Sequence, residues 1–89
     1  MMHEATVRIV NAAGMHARPA SEFVKLAATY LSEIRVEKDG LEVNGKSIMG
    51  VLMLAAEWGS SLTIRAEGDD APTALEALCG LVNRGFEED

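Results

Sequence analysis

His16 and Arg18 stand two residues apart in the stretch Gly14-Met15-His16-Ala17-Arg18-Pro19-Ala20, and that spacing suits phosphate chemistry. The segment ahead of it, Thr6 to Val10, alternates and is β-branched, as a strand is. From Ala20 to Leu31 the apolar residues fall at helical steps. A strand therefore ends just before the stretch and a helix starts inside it. The first N–H groups of a helix have no partner within it and carry partial positive charge, so a helix start holds anions, phosphate above all. Imidazole has a reference pKa of about 6.5, which makes a neutral, nucleophilic ring nitrogen available near pH 7. Such a ring can carry a phosphoryl group, with the helix end and Arg18 offsetting its charge. The alternatives are a histidine that merely caps the helix by accepting an N–H bond, and an arginine whose stem only covers apolar surface.

Ser47 is the second residue singled out by position. It stands immediately before an apolar run, where a helix N-cap belongs. A phosphate added to such a serine favours the helix and brings up to two negative charges. The run itself, with Ile48, Met49, Leu52 and Met53, is too apolar for a short helix to hide on every side. Met49 and Leu52 then lie outward beside Ala20 as an adaptable docking patch, or else all of them are ordinary core. Trp58 is either an exposed anchor or a lid on the core. His3 has no second ligand nearby in sequence, so no metal site is expected. Nor does a nucleophile–base pair suggest a hydrolase.

The elements that must position these residues follow from the pattern. Thr6–Val10 is a strand, followed by the turn-forming loop Asn11-Ala12-Ala13-Gly14. Pro19 lies in the first turn of a helix whose buried stripe is Ala20, Val24, Ala27, Ala28 and Leu31, ending near Tyr30 to Ser32. Ile34–Glu37 and Leu41–Asn44 alternate around Asp39-Gly40, a strong hairpin signal. A short helix runs from Ile48 to Ala56, with Gly59 as its left-handed terminator. Ser61–Ala66 alternates with Leu62, Ile64 and Ala66 on one face. Pro72 opens a last helix with the stripe Ala74, Leu75, Leu78, Leu81 and Val82; Gly85 ends it, and the acidic tail Glu87-Glu88-Asp89 frays. The order is β-α-β-β-α-β-α. Because the strands alternate, one sheet face is buried and the other solvated. Three helical stripes sharing the buried face make a two-layer α+β sandwich.

Eighty-nine residues are expected to form one domain, 1–89. One Trp, one Tyr and two Phe leave the core to Ala, Leu, Val, Ile and Met. The lone Cys79 forms no internal disulfide and pairs with nothing for metal or redox chemistry; the cytoplasm is the expected compartment. No signal peptide and no membrane-spanning run are apparent. A net charge of −6 argues against nucleic-acid binding. Acid gathers at Glu67, Asp69, Asp70, Glu76 and the tail, while Arg8, Arg18, Lys25 and Lys46 fall in the first half. That asymmetry suits an acidic partner on the His16 side, or is simply a well-solvated surface.

Asn11 through Ala20 resembles the active-site signature of the HPr family, the histidine-containing phosphocarriers of the bacterial phosphoenolpyruvate-dependent sugar phosphotransferase system. Lys46-Ser47-Ile48-Met49-Gly50 resembles that family's regulatory-serine motif. The likeness spans essentially the whole chain. It implies an open-faced β-sandwich, a four-stranded antiparallel sheet with three helices on one face. It implies that His16 is phosphorylated through Nδ1 by enzyme I, that Arg18 assists, and that phosphate passes to enzyme IIA domains. It implies further that Ser47 is modified from ATP by HPr kinase/phosphorylase, and that Ala20, Met49 and Leu52, with neighbouring Ile48, form the partner-docking surface. A monomer with no cofactor, turning over only through its partners, is expected. The runner-up is a regulatory, nitrogen-type phosphocarrier that feeds no sugar. A rival from another class, a small-molecule-binding α+β module, gives His16 no special role.

Overall fold

The computed structural model describes residues 2–87. Their strands pair where β-branched and aliphatic residues alternate with polar ones. The sheet has the order β1-β4-β2-β3, with every neighbouring pair antiparallel: β1 Met2–Arg8, β2 Glu33–Lys38, β3 Leu41–Asn44 and β4 Ser61–Glu67. The helices are α1 Ala17–Ala28, α2 Ile48–Met53 and α3 Ala71–Asn83. The architecture is the expected β-α-β-β-α-β-α order in two layers, with a short 3-10 turn at Gly85–Glu87 after it.

Register sets the two faces. Ala5, Ile64, Val36 and Val43 form one row across all four strands, and Val7–Leu62 and Ile34–Ala66 flank it on the same side. That side packs against Phe23, Val51, Leu78 and Val82 of the helices in one core. The other side is polar. There Arg65 donates to Glu4 opposite it at 3.0 Å, and to Glu37 and Glu42 at 2.6 and 2.8 Å. Those carboxylates, Glu37 foremost, hold its guanidinium above its ordinary pKa. Thr6 and Thr63 share a 3.3 Å hydroxyl contact beside it. The hairpin turn has Asp39 at φ 52° and Gly40 at φ 86°, the two left-handed residues that a twisted two-residue hairpin needs.

Several boundaries differ from the pattern. β1 runs from Met2 to Arg8 rather than over Thr6–Val10, because the whole N-terminal segment pairs with β4, from Met2↔Glu67 to Arg8↔Ser61. The buried stripe of α1 is Pro19, Ala20, Phe23 and Ala27; Ala28 is exposed, and Leu31 is 89% exposed beyond the helix end. α1 stops at Ala28 because the next residues are claimed elsewhere. Lys46 Nζ donates to the Tyr30 carbonyl at 2.7 Å. Asp70 accepts from the N–H groups of Leu31 and Ser32 at 2.8 and 2.9 Å and from the Ser32 hydroxyl at 2.5 Å. Gly68 permits that approach: a Cβ there would lie 2.7 Å from Ser32 Oγ. α2 ends at Met53, not Ala56, since Ala55 turns left-handed at φ 49°; Gly59 serves a separate turn over 57–60, closed by a 2.9 Å bond from Ser60 N–H to the Glu57 carbonyl. In α3, Ala71, Ala74, Leu78 and Val82 are buried, with Leu75 and Leu81 packed at the margin. Gly85 ends it at φ 64°, and Phe86 is buried after it. The expected fraying at Glu88 and Asp89 lies outside the described residues.

The Ser32 hydroxyl, followed by the Leu31 N–H, holds the Asp70 carboxyl below the usual carboxylate range. A depressed folded pKa gives stability that is present above the unfolded value, about 3.9, and lost as pH falls through the folded one. Asp70→Asn should therefore melt lower than the parent above about pH 5, with the gap closing below about pH 4; thermal melts across that range by circular dichroism check it.

Candidate functional site

The loop that presents His16 is held by backbone geometry. Asn11 is buried, and its Nδ2 donates to the Gly14 carbonyl at 2.8 Å, while Gly14 N–H returns to the Asn11 carbonyl at 3.1 Å. Gly14 sits at φ 73°, and a Cβ there would meet the Ala56 carbonyl oxygen at 2.6 Å. One residue on, Met15 N–H donates to that same carbonyl at 2.8 Å. The loop before α1 is thus pinned to the connection between α2 and β4.

His16 follows in extended conformation, φ −82° and ψ −168°, as the N-cap residue of α1. Its carbonyl accepts from Ala20 N–H at 2.9 Å, the first bond of the helical ladder, so the N–H groups ahead of Ala20 point out of the helix end. The His16 side chain makes no capping hydrogen bond. Of the two readings of this histidine, the cap is therefore excluded. The residue is exposed, as is Arg18, the second residue of α1; Pro19, the third, is fully buried.

His16 opens onto a shallow groove that it shares with Ala13, Met15, Lys38, Ala55, Ala56 and Glu57. Lys38 and Glu57 escaped the sequence reading. They lie 22 and 41 positions beyond His16 in the chain, and the pairing of β2 with β4 and the bond at Ala56 help to bring them to it. The positive φ of Ala55, at 49°, is likewise invisible in an alanine.

Ser47 caps α2: its Oγ accepts from Gly50 N–H at 3.1 Å, and its carbonyl accepts from Val51 N–H at 3.0 Å. α2 packs against α1, and its Val51 is fully buried in the core. Ile48, Met49, Leu52 and Met53 are exposed, Met49 to 68% and Leu52 to 36%, so these four are not core. Ala20 is different. It is fully buried, because it lies on the packed stripe of α1, and so it is not part of an exposed surface. Trp58 is 68% exposed and is no lid. Burial pushes the Cys79 thiol up from its ordinary pKa. Among the described residues no group of three or more His, Cys, Asp or Glu is placed to hold a metal ion, and no helix is long and apolar enough to cross a membrane.

Residues 3–84 match the family described as the PTS HPr component phosphorylation site. The chain is 46% identical over 84 residues to phosphocarrier protein HPr of Treponema pallidum, covering 94% of this chain and 96% of that one. It is 45% identical to the HPr-like protein Crh of Halalkalibacterium halodurans, with 93% and 99% covered. The solved structure of HPr-C-His from Thermoanaerobacter tengcongensis superposes with a TM-score of 0.94 at 45% identity, covering 98% of each chain. An HPr dimer from the same organism is also similar, at a TM-score of 0.79 and 45% identity, covering 97% of this chain and 99% of that one.

The Ser47 cap carries a measurable share of stability. Ser47→Ala should cost about 1 kcal/mol, read from urea denaturation, whereas Ser47→Asp, which keeps an acceptor at the cap, should lose less.

Proposed function

The chain belongs to the HPr family, the phosphocarriers of the phosphotransferase system, and from that premise we propose that His16 accepts a phosphoryl group from phospho-enzyme I and passes it to enzyme IIA domains for sugar uptake. The observation that carries this reading is the exposed His16 at the N-cap of α1, opening onto the groove, with the exposed Arg18 two residues on. In the acceptance step the Nδ1 lone pair of neutral His16 attacks phosphorus. The bond from phosphorus to the donor's imidazole breaks, and its electron pair returns to the donor ring. Passage to the next domain is the same step with the roles exchanged. Charge neutralisation falls to Arg18 and the N–H groups of the helix end, which need no covalent chemistry of their own. The protein is a stoichiometric carrier rather than an enzyme, and it works in the cytoplasm as a monomer of one domain.

Docking is assigned to Ile48, Met49 and Leu52. Exposed Met and Leu on a short helix suit partners of differing shape, because thioether side chains repack readily. Ser47, at the start of that helix, is assigned as the target of HPr kinase/phosphorylase. A phosphoserine there adds charge at the edge of the apolar patch and opposes an acidic partner. A second reading, a regulatory phosphocarrier not coupled to sugar transport, draws on the Crh-named relatives.

Incubation with enzyme I and labelled phosphoenolpyruvate should give acid-labile label on the protein that is lost in His16→Ala; label retained in that variant would falsify the assignment of the site. ATP and HPr kinase should give acid-stable phosphate that disappears in Ser47→Ala. That phosphoprotein should accept phosphate from enzyme I at least tenfold more slowly, about 1.4 kcal/mol in the barrier; equal rates would leave Ser47 as a cap only.

A further inference from the structure

Lys38 ends β2 on the wall of the groove that His16 opens onto. Its side chain is only 22% exposed, so its stem lies along the protein and delivers the ammonium to the rim. There Nζ stands 3.1 Å from Oδ2 of Asp39, whose side chain is 84% exposed. With its carboxylate so exposed, the pair is weakly held and screened by salt, and its cation is available for exchange. Glu57 stands on the same groove. A phosphoryl group arriving on His16 would therefore meet a carboxylate of like charge across the groove, with Lys38 as the cation on that wall.

We propose that Lys38 is a second cation of the phosphoryl site, exchanging Asp39 for the phosphoryl oxygens when His16 is charged. The inference rests on His16 as the phosphoryl acceptor. A lysine suits the task, since its ammonium sits on a flexible stem and donates in several directions. Arg18 and the helix end approach from α1, and Lys38 approaches from the sheet. The phosphoryl group is thus gripped from two elements that the chain order keeps apart. When the group leaves, Lys38 returns to Asp39 and the groove regains its resting charge.

The readout is the phosphohistidine itself. A nearby cation favours the dianionic phosphoryl form, so its titration, followed by phosphorus NMR on protein charged by enzyme I and phosphoenolpyruvate, should move up by about half a pH unit in Lys38→Gln. It should return toward the parent value in Lys38→Arg. The specificity constant for acceptance should fall about threefold to tenfold in Lys38→Gln. Arg8→Gln removes one positive charge from the far face of the sheet and should leave the titration where it was. Parent-like titration and rates in a folded Lys38→Gln overturn the proposal, as does an equal shift in Arg8→Gln. Absence of label from the parent protein fails the His16 reading first, and this inference with it; label on the parent with an indifferent Lys38 fails this inference alone.

Discussion

The hydrogen bond from Met15 N–H to the Ala56 carbonyl, with those from Ile9 N–H to the Ser60 carbonyl and from Gly59 N–H to the Ile9 carbonyl, ties the His16 loop to the connection before β4. It joins two connections that the chain makes separately, β1 to α1 and α2 to β4. Gly14 has to precede it, because any side chain at that position would strike the same oxygen. Once it forms, three things are set together. His16 stands at the head of α1, the groove acquires Ala55 to Glu57 as its far wall, and α2 lies beside α1 with its methionines outward. The buried Asn11, bonded across the loop to Gly14, keeps the first connection in the shape that the bond requires.

The electrostatics divide along the same two layers. The open face of the sheet is organised around Arg65 and its three carboxylates, and its polar side chains largely satisfy one another. The helix side carries Arg18, Lys38 and Lys46 around the groove and α2. The molecule carries a net charge of −6, and Glu57 lines the same groove, so these cations are local positive points in an acidic surface and orient a charged group at short range.

Much of this was legible from local chemistry. Asp39-Gly40 specified its hairpin because only a left-handed pair closes so tight a turn, and Ser47 specified its cap through one hydroxyl in reach of one N–H. The alternation in Ser61–Ala66 gave its buried face directly. What escaped was set by contacts distant in sequence. Leu31 fits a helical stripe on spacing, yet Asp70, 39 residues later, holds the backbone of Leu31 and Ser32 and stops α1 before it. Phe23 became the largest fully buried side chain because the helix rotated to suit Ala20 and Ala27. Ala20 read as a patch residue from resemblance, but its place on the helical stripe, which the spacing gave, is the one the fold keeps, and it is buried. Lys38 and Glu57 had no signal at all, since a groove wall belongs to no single segment.

Pro19 has a consequence larger than its helical propensity. A side chain at the N-cap captures the N–H of the second or third helical residue, and the third residue of α1 is the one that has no N–H to give. The sequence has withdrawn the most natural internal bait for the imidazole. A ring caught by its own helix would spend its lone pair on holding the fold; here that competition is weakened by deletion of a single proton. The device is an omission: it needs no added residue, only the backbone N–H that proline lacks.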